Sequence, residues 1–136
     1  MIEIVRMATA AENIERPTIL VVEDEFIIAL DLSETVRDLG MDCEGPFRDM
    51  EGAFVAIDQK MPDCAILDVM TDDGEVFPLA DALQDAGVPI IFHSGHLTDK
   101  DVCDRYPDAI ACAKPCPPDV LIASVNKALA RSETTH

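Results

Sequence analysis

Four short apolar runs without polar alternation punctuate this chain, and between them the apolar residues recur at spacings of three and four. Thr18-Ile19-Leu20-Val21-Val22, Asp63-Cys64-Ala65-Ile66-Leu67-Asp68-Val69-Met70, Val88-Pro89-Ile90-Ile91-Phe92 and Ala109 to Ala113 read as strands. A run with no polar face suits a strand covered on both sides. Met41 to Pro46 is less apolar and reads as a fifth strand, at an edge. Between these, Ile28, Leu32, Val36 and Leu39 place one apolar face on a helix from Phe26 to Leu39, with Gly40 as its C-cap. Met50, Phe54 and Ile57 mark a second helix, weakened by Gly52, and Val76, Ala80 and Leu83 a third that runs to Gly87. Pro78 falls in the first turn of that third helix, where a missing N–H does least harm. Thr98 to Arg105 reads as a short polar helix, and Val120 to Ala130 as the last, with Leu121, Val125 and Leu129 four apart.

The order is therefore β-α five times over, with connections short enough to require parallel strands and right-handed crossovers. This predicts an α/β fold, a doubly wound five-stranded parallel sheet of flavodoxin-like order 2-1-3-4-5 with helices on both faces. Residues 1–17 are expected to form a loosely ordered N-terminal extension, residues 18–131 the domain, and residues 132–136 a tail. With 136 residues in all, there is room for one core and little more.

Charge changes the picture of partners. Against 10 basic residues stand 27 acidic ones, a formal charge of -17, which opposes direct binding to nucleic acid or to anionic lipid. Basic partners or divalent cations fit better. Glu3 interrupts the N-terminus early, no long apolar core follows it, and no stretch approaches a membrane span, so a cytoplasmic location is expected. The five cysteines (Cys43, Cys64, Cys103, Cys112, Cys116) are an odd number without C-x-x-C spacing, and they read as reduced thiols. A redox or zinc role for Cys112 and Cys116 is the lesser alternative.

Candidate chemistry gathers where the strands stop. Asp neither favours strands nor tolerates burial without a partner, so Asp68 at the end of an apolar run calls for a role other than packing. In a parallel sheet all C-terminal strand ends share one edge, which brings Glu23, Asp24, Asp68, Ser94 and Lys114 together. Carboxylates so close repel unless a cation joins them; Mg²⁺, with Mn²⁺ as an alternative, is the usual solution. A metal and a lysine beside a nucleophilic Asp suit phosphoryl transfer. Glu25 reads simply as the start of the following helix, where an acid favours the macrodipole. His93 and His96 lie three apart beside the acids, but a strand end is not a helix face and no third ligand of matching softness is evident, so no metal site is assigned to them. His96 is placed at the rim of the site.

Taken in this order, ILVVEDE, AILDVM, PIIFHSG and AKP resemble the receiver domain of two-component response regulators, from Thr18 to Ala130. The resemblance implies that Glu23 and Asp24 hold Mg²⁺ and that Asp68 both ligates it and accepts a phosphoryl group from a histidine kinase. It adds the backbone carbonyl of Met70 as a further ligand, Ser94 as switch hydroxyl, and Lys114, joined to Pro115 by a cis bond, as partner of the phosphoryl group. Most receivers carry an aromatic three residues before the lysine; here that position is Ala111, and the usual aromatic relay is missing. FHSGH with VFPLADAL resembles a receiver subgroup with a Phe-Ala-Thr-Gly-type fourth strand, often free-standing. A single-domain regulator of this kind would take its phosphoryl group from a sensor histidine kinase or a histidine phosphotransfer protein. It would signal through a downstream protein target, and would be no enzyme beyond catalysing its own phosphorylation and dephosphorylation. A phosphorylation-independent scaffold is the alternative. A Mg²⁺-dependent phosphatase of the haloacid dehalogenase type is the more distant one, since it wants a second Asp where Met70 stands.

Overall fold

The computed structural model describes residues 16–95, 102 and 104–135. Strand β1 (Thr18–Val22) leads into helix α1 (Phe26–Asp38), β2 (Asp42–Phe47), α2 (Met50–Gln59) and β3 (Cys64–Leu67). A two-stranded ribbon, β4 (Met70–Thr71) and β5 (Gly74–Glu75), then precedes α3 (Phe77–Asp85), β6 (Ile90–Ser94), β7 (Ile110–Ala113) and α4 (Pro118–Thr135). Five strands form one parallel sheet in the order β2-β1-β3-β6-β7, which is the expected 2-1-3-4-5. Val102, Asp104 and Arg105 are helical, and the rest of the expected short helix, with His96, Cys103 and residues 1–15, lies outside the described residues.

Strand alternation divides the core into two layers. Leu20, Val22, Ala65, Leu67, Ile90 and Phe92 point to one side, against Ala53 and Ile57 of α2, Leu79, Ala80 and Leu83 of α3, and Tyr106. Ile19, Val21, Cys64, Ile66, Ile91 and Cys112 point to the other, against Leu32 and Val36 of α1 and Leu121, Val125 and Ala128 of α4. Both faces of the central strands are therefore apolar, which is why these runs show no polar alternation. Burial pushes the Cys64 thiol up to about 12, as suits a thiol that packs rather than reacts.

Boundaries shift for identifiable reasons. The strand expected at Val88–Phe92 runs instead from Ile90 to Ser94. Pro89 has no N–H to give, although its carbonyl accepts from Ala65, and pairing with β7 extends the ladder through His93 to Ser94. Helix α4 begins at Pro118, where fixed φ suits the first helical position, and it continues through Thr135. At Gly45 the backbone has φ +103° and passes so close to β1 that a Cβ would lie 2.7 Å from Val21 O.

The loop after β3 is anchored from outside. In the Thr71–Gly74 turn, Asp73 accepts from the backbone N–H groups of Met50 (2.8 Å) and Glu51 (3.2 Å), two donors left over at the start of α2. Asp49 caps the same helix from within, accepting from Gly52 N–H at 2.9 Å. Arg48 pairs with Asp72 at 3.0 Å. The Met50 amide and the Thr71 hydroxyl hold the Asp73 carboxyl below its ordinary value. An acid lowered in the fold stabilises it fully above its unfolded-state value of about 3.9 and loses that contribution as pH falls through the folded value. Asp73→Ala is accordingly expected to lower the urea midpoint at neutral pH. Its gap from the parent should shrink once the acid is protonated, and a gap independent of pH would show that the carboxylate charge plays no part.

Candidate functional site

Register builds the site. Val22 pairs with Leu67, and Leu67 with Phe92, so the next residues along, Glu23, Asp68 and His93, lie level across three strands. His93 pairs in turn with Cys112 of β7, and Lys114 lies two residues further on. By alternation these positions continue the layer of Val21, Ile66 and Ile91, on the side of α1 and α4. Side chains from four strands thus converge below one edge of the sheet.

Lys114 is the hub. Its ammonium lies 2.9 Å from Asp68 Oδ2, 2.9 Å from Glu23 Oε1 and 3.1 Å from Glu25 Oε1. Burial alone would push the ammonium down, but hydrogen bonds to Asp68 and Glu23 outweigh it and hold Lys114 above its ordinary value. Burial, reinforced by the Glu23 carboxylate, raises Asp68. Glu23 goes the other way: against its own burial, contacts with His93, Asp68 and Lys114 keep its carboxyl low.

Glu23, Asp24, Glu25 and Asp68 each present an oxygen within 4.8 Å of the others. Hard oxygen donors at this spacing are the donor set a divalent cation such as Mg²⁺ takes. One further feature fits a cation there: Glu23 Oε1 is buried and makes no hydrogen bond, and the ammonium holds it through charge alone. His93 Nδ1, buried and likewise without a hydrogen bond, lies 3.6 Å from that oxygen.

The other expected positions fall as follows. Asp24 is half-buried beside Glu23. Ser94 is buried at the end of β6, and its carbonyl accepts from Lys114 N–H at 3.1 Å. Met70 opens β4 two residues beyond the acid, and its N–H donates to Asp68 Oδ1 at 3.3 Å. The bond between Lys114 and Pro115 is cis.

Two residues do more than the sequence implied. Glu25 is the N-cap residue of α1 but makes no capping hydrogen bond, and its carboxylate turns to Lys114. The expectation that it merely starts a helix is corrected by this ion pair. Its position two residues beyond Glu23 was the only available signal. His93, to which no metal site is assigned, lies buried beside Glu23, and its level register with Asp68 places it there.

No protein-family model matches the sequence. Among curated proteins the chain is similar to the phyllosphere-induced regulator PhyR of Methylorubrum extorquens, 32% identical over 114 residues that cover 82% of this chain and 43% of that protein. The chain thus spans less than half the length of that relative. Among solved structures it is similar to the signal receiver domain of a modulated diguanylate cyclase from Desulfovibrio desulfuricans G20. There the TM-score is 0.78 at 26% identity, covering 90% of this chain and 100% of the other. It is also similar to the PhyR response regulator receiver domain of Erythrobacter litoralis, with a TM-score of 0.76 at 25% identity over 87% of this chain and 93% of that one. Fold, strand order and these similarities agree: the chain belongs to the response regulator receiver domains.

Proposed function

We propose that this receiver accepts a phosphoryl group on Asp68 from a sensor histidine kinase or a histidine phosphotransfer protein and passes the signal to a protein target. The observation that carries this reading is the Lys114 ammonium, 2.9 Å from Asp68 Oδ2, inside a cluster of four carboxylates. An Asp oxygen attacks phosphorus in line, the new O–P bond forms, and the bond to the donor breaks with its electron pair leaving on the donor. Lys114 opposes the rise that burial and Glu23 impose on Asp68, and then moves its charge to a phosphoryl oxygen. Glu23 and Asp24, with Asp68 and the Met70 carbonyl, would hold Mg²⁺, or Mn²⁺ in its place. The ion supplies neutralisation of phosphoryl oxygens when bound. Ser94 donates its hydroxyl to the attached group, and its movement starts the conformational change. Among the described residues no helix is long and apolar enough to cross a membrane, and the chain carries a charge of -17, so the partners proposed are proteins rather than nucleic acid or lipid.

A scaffold that works without phosphorylation is the second reading, favoured by the completeness of the Lys114 ion pairs: three carboxylates already share one cation. One experiment separates the two. Incubation with acetyl phosphate and Mg²⁺ is expected to add one phosphoryl mass that is labile at alkaline pH, absent in Asp68→Ala and suppressed by chelator. An unchanged mass with every donor, including a histidine kinase, would leave the scaffold.

A further inference from the structure

Ala111, where most receivers carry their aromatic, is the register partner of Phe92 in β6 and offers it only a methyl group. The ring that packs on Phe92 comes from elsewhere. Tyr106 stands with its centroid 5.1 Å from that of Phe92 and 6.0 Å from Phe77 at the start of α3. It is 2% exposed, yet its hydroxyl is not left bare: it donates to Asp81 Oδ1 at 2.6 Å. Arg105 pairs with the other Asp81 oxygen at 3.1 Å and lies over the Phe77 ring at 4.7 Å. Asp81 is thus gripped by two neighbouring residues of one segment. Phe92 in turn precedes Ser94 by two residues, so both side chains leave β6 on the same side.

We propose that Tyr106 is the positioning residue that relays the state of Ser94 to the surface, in the role the aromatic of the last strand would otherwise fill. The inference rests on the phosphoacceptor reading of Asp68. When Ser94 closes on the phosphoryl group, the end of β6 moves with it, and Phe92 carries the displacement to the Tyr106 ring. The short hydroxyl bond to Asp81 is the element that breaks, and it frees Asp81 on α3 together with Arg105, its partner from the segment before β7. Both are half-exposed in the bonded state, so the change is presented directly to a protein partner.

Tyr106 is the chain's one tyrosine and there is no tryptophan, so ultraviolet emission of the whole protein reports this residue alone. A phenol hydrogen-bonded to a carboxylate is quenched, and release brightens it. Addition of beryllofluoride and Mg²⁺, a phosphoryl mimic, is expected to raise tyrosine emission in the parent protein and not in Ser94→Ala. Tyr106→Phe keeps the ring and removes the hydroxyl, with its short bond to Asp81 and a longer one to Phe77 O at 3.4 Å, so it should bind the mimic about tenfold more tightly, the worth of a hydrogen bond to a charged group. A merely structural tyrosine would leave that affinity unchanged or weaken it. Fluorine NMR of bound beryllofluoride keeps the two readings apart. Bound mimic with unchanged emission and unchanged Tyr106→Phe affinity overturns the relay and leaves the phosphoacceptor standing. No bound mimic and no phosphoryl mass gain overturns both.

Discussion

Lys114→Met is expected to lower stability at neutral pH by about 3 kcal/mol, the cost of leaving a buried charge group without its partner. For a chain of this size that is a fall of about 10 °C in Tm. Methionine keeps the length and apolar bulk of the stem, so the change is chiefly the lost ammonium. Glu23 has no exposed side-chain surface and Asp68 almost none, and the lysine that neutralises both is itself only 12% exposed. Glu23 and Asp68 would then face each other with little water to screen them, beside the more exposed Asp24 and Glu25. Added Mg²⁺ should restore more stability to the variant than to the parent, because the pocket has lost its resident cation. Phosphorylation by acetyl phosphate should slow about a hundredfold, the typical loss when one charge stabiliser is removed. The measurements are thermal unfolding with and without Mg²⁺, and phosphoryl incorporation against time. A variant as stable as the parent would show that the ion pairs around Lys114 contribute nothing net.

The contrast between strand ends and loops explains what could be seen in the sequence. A strand buried on both faces must be apolar throughout, so the carboxylates after Val22 and Leu67 stood out against their runs, and parallel order placed them on one edge. Which side of the sheet each acid takes follows from counting steps of two along strands whose register was not yet known; hence Glu23, Asp68 and Lys114 could be brought to one edge but not to one face. His93 stayed hidden for the same reason, since its level position with Asp68 depends on the pairing of Leu67 with Phe92. Glu25 and Asp73 illustrate a different limit. An acid beside a helix start looks alike whether it caps its own helix, turns to a lysine 89 residues on, or reaches back to a neighbouring helix, and only the tertiary fold separates these. Tyr106 belongs here too: no spacing rule links it to Asp81, 25 residues earlier on α3.

The same Leu→Ala substitution at two positions should differ in cost by about 3 kcal/mol. Leu67 is the last residue of β3, fully buried between Leu20-side and helix-side neighbours, and its Cα partners lie in β1 and β6 on either hand. Leu30, on α1, keeps 44% of its surface in water. Leu67→Ala removes the transfer energy of the side chain and also leaves a cavity that strands locked on both edges cannot collapse to fill, about 3 to 4 kcal/mol together. Leu30→Ala gives up little burial and places the better helix former in a helix, a change within about 0.5 kcal/mol. Guanidinium unfolding with equal slopes for the two variants checks the comparison; costs within experimental error of each other would mean that β3 is not the packed centre of the sheet. The consequence reaches the site, because Asp68 follows Leu67 directly and its N–H is held by Val22 O at 2.9 Å. A void under Leu67 loosens the one backbone step that aims the Asp68 carboxylate at Lys114, so Leu67→Ala should slow phosphorylation as well, while Leu30→Ala leaves the rate with acetyl phosphate unchanged.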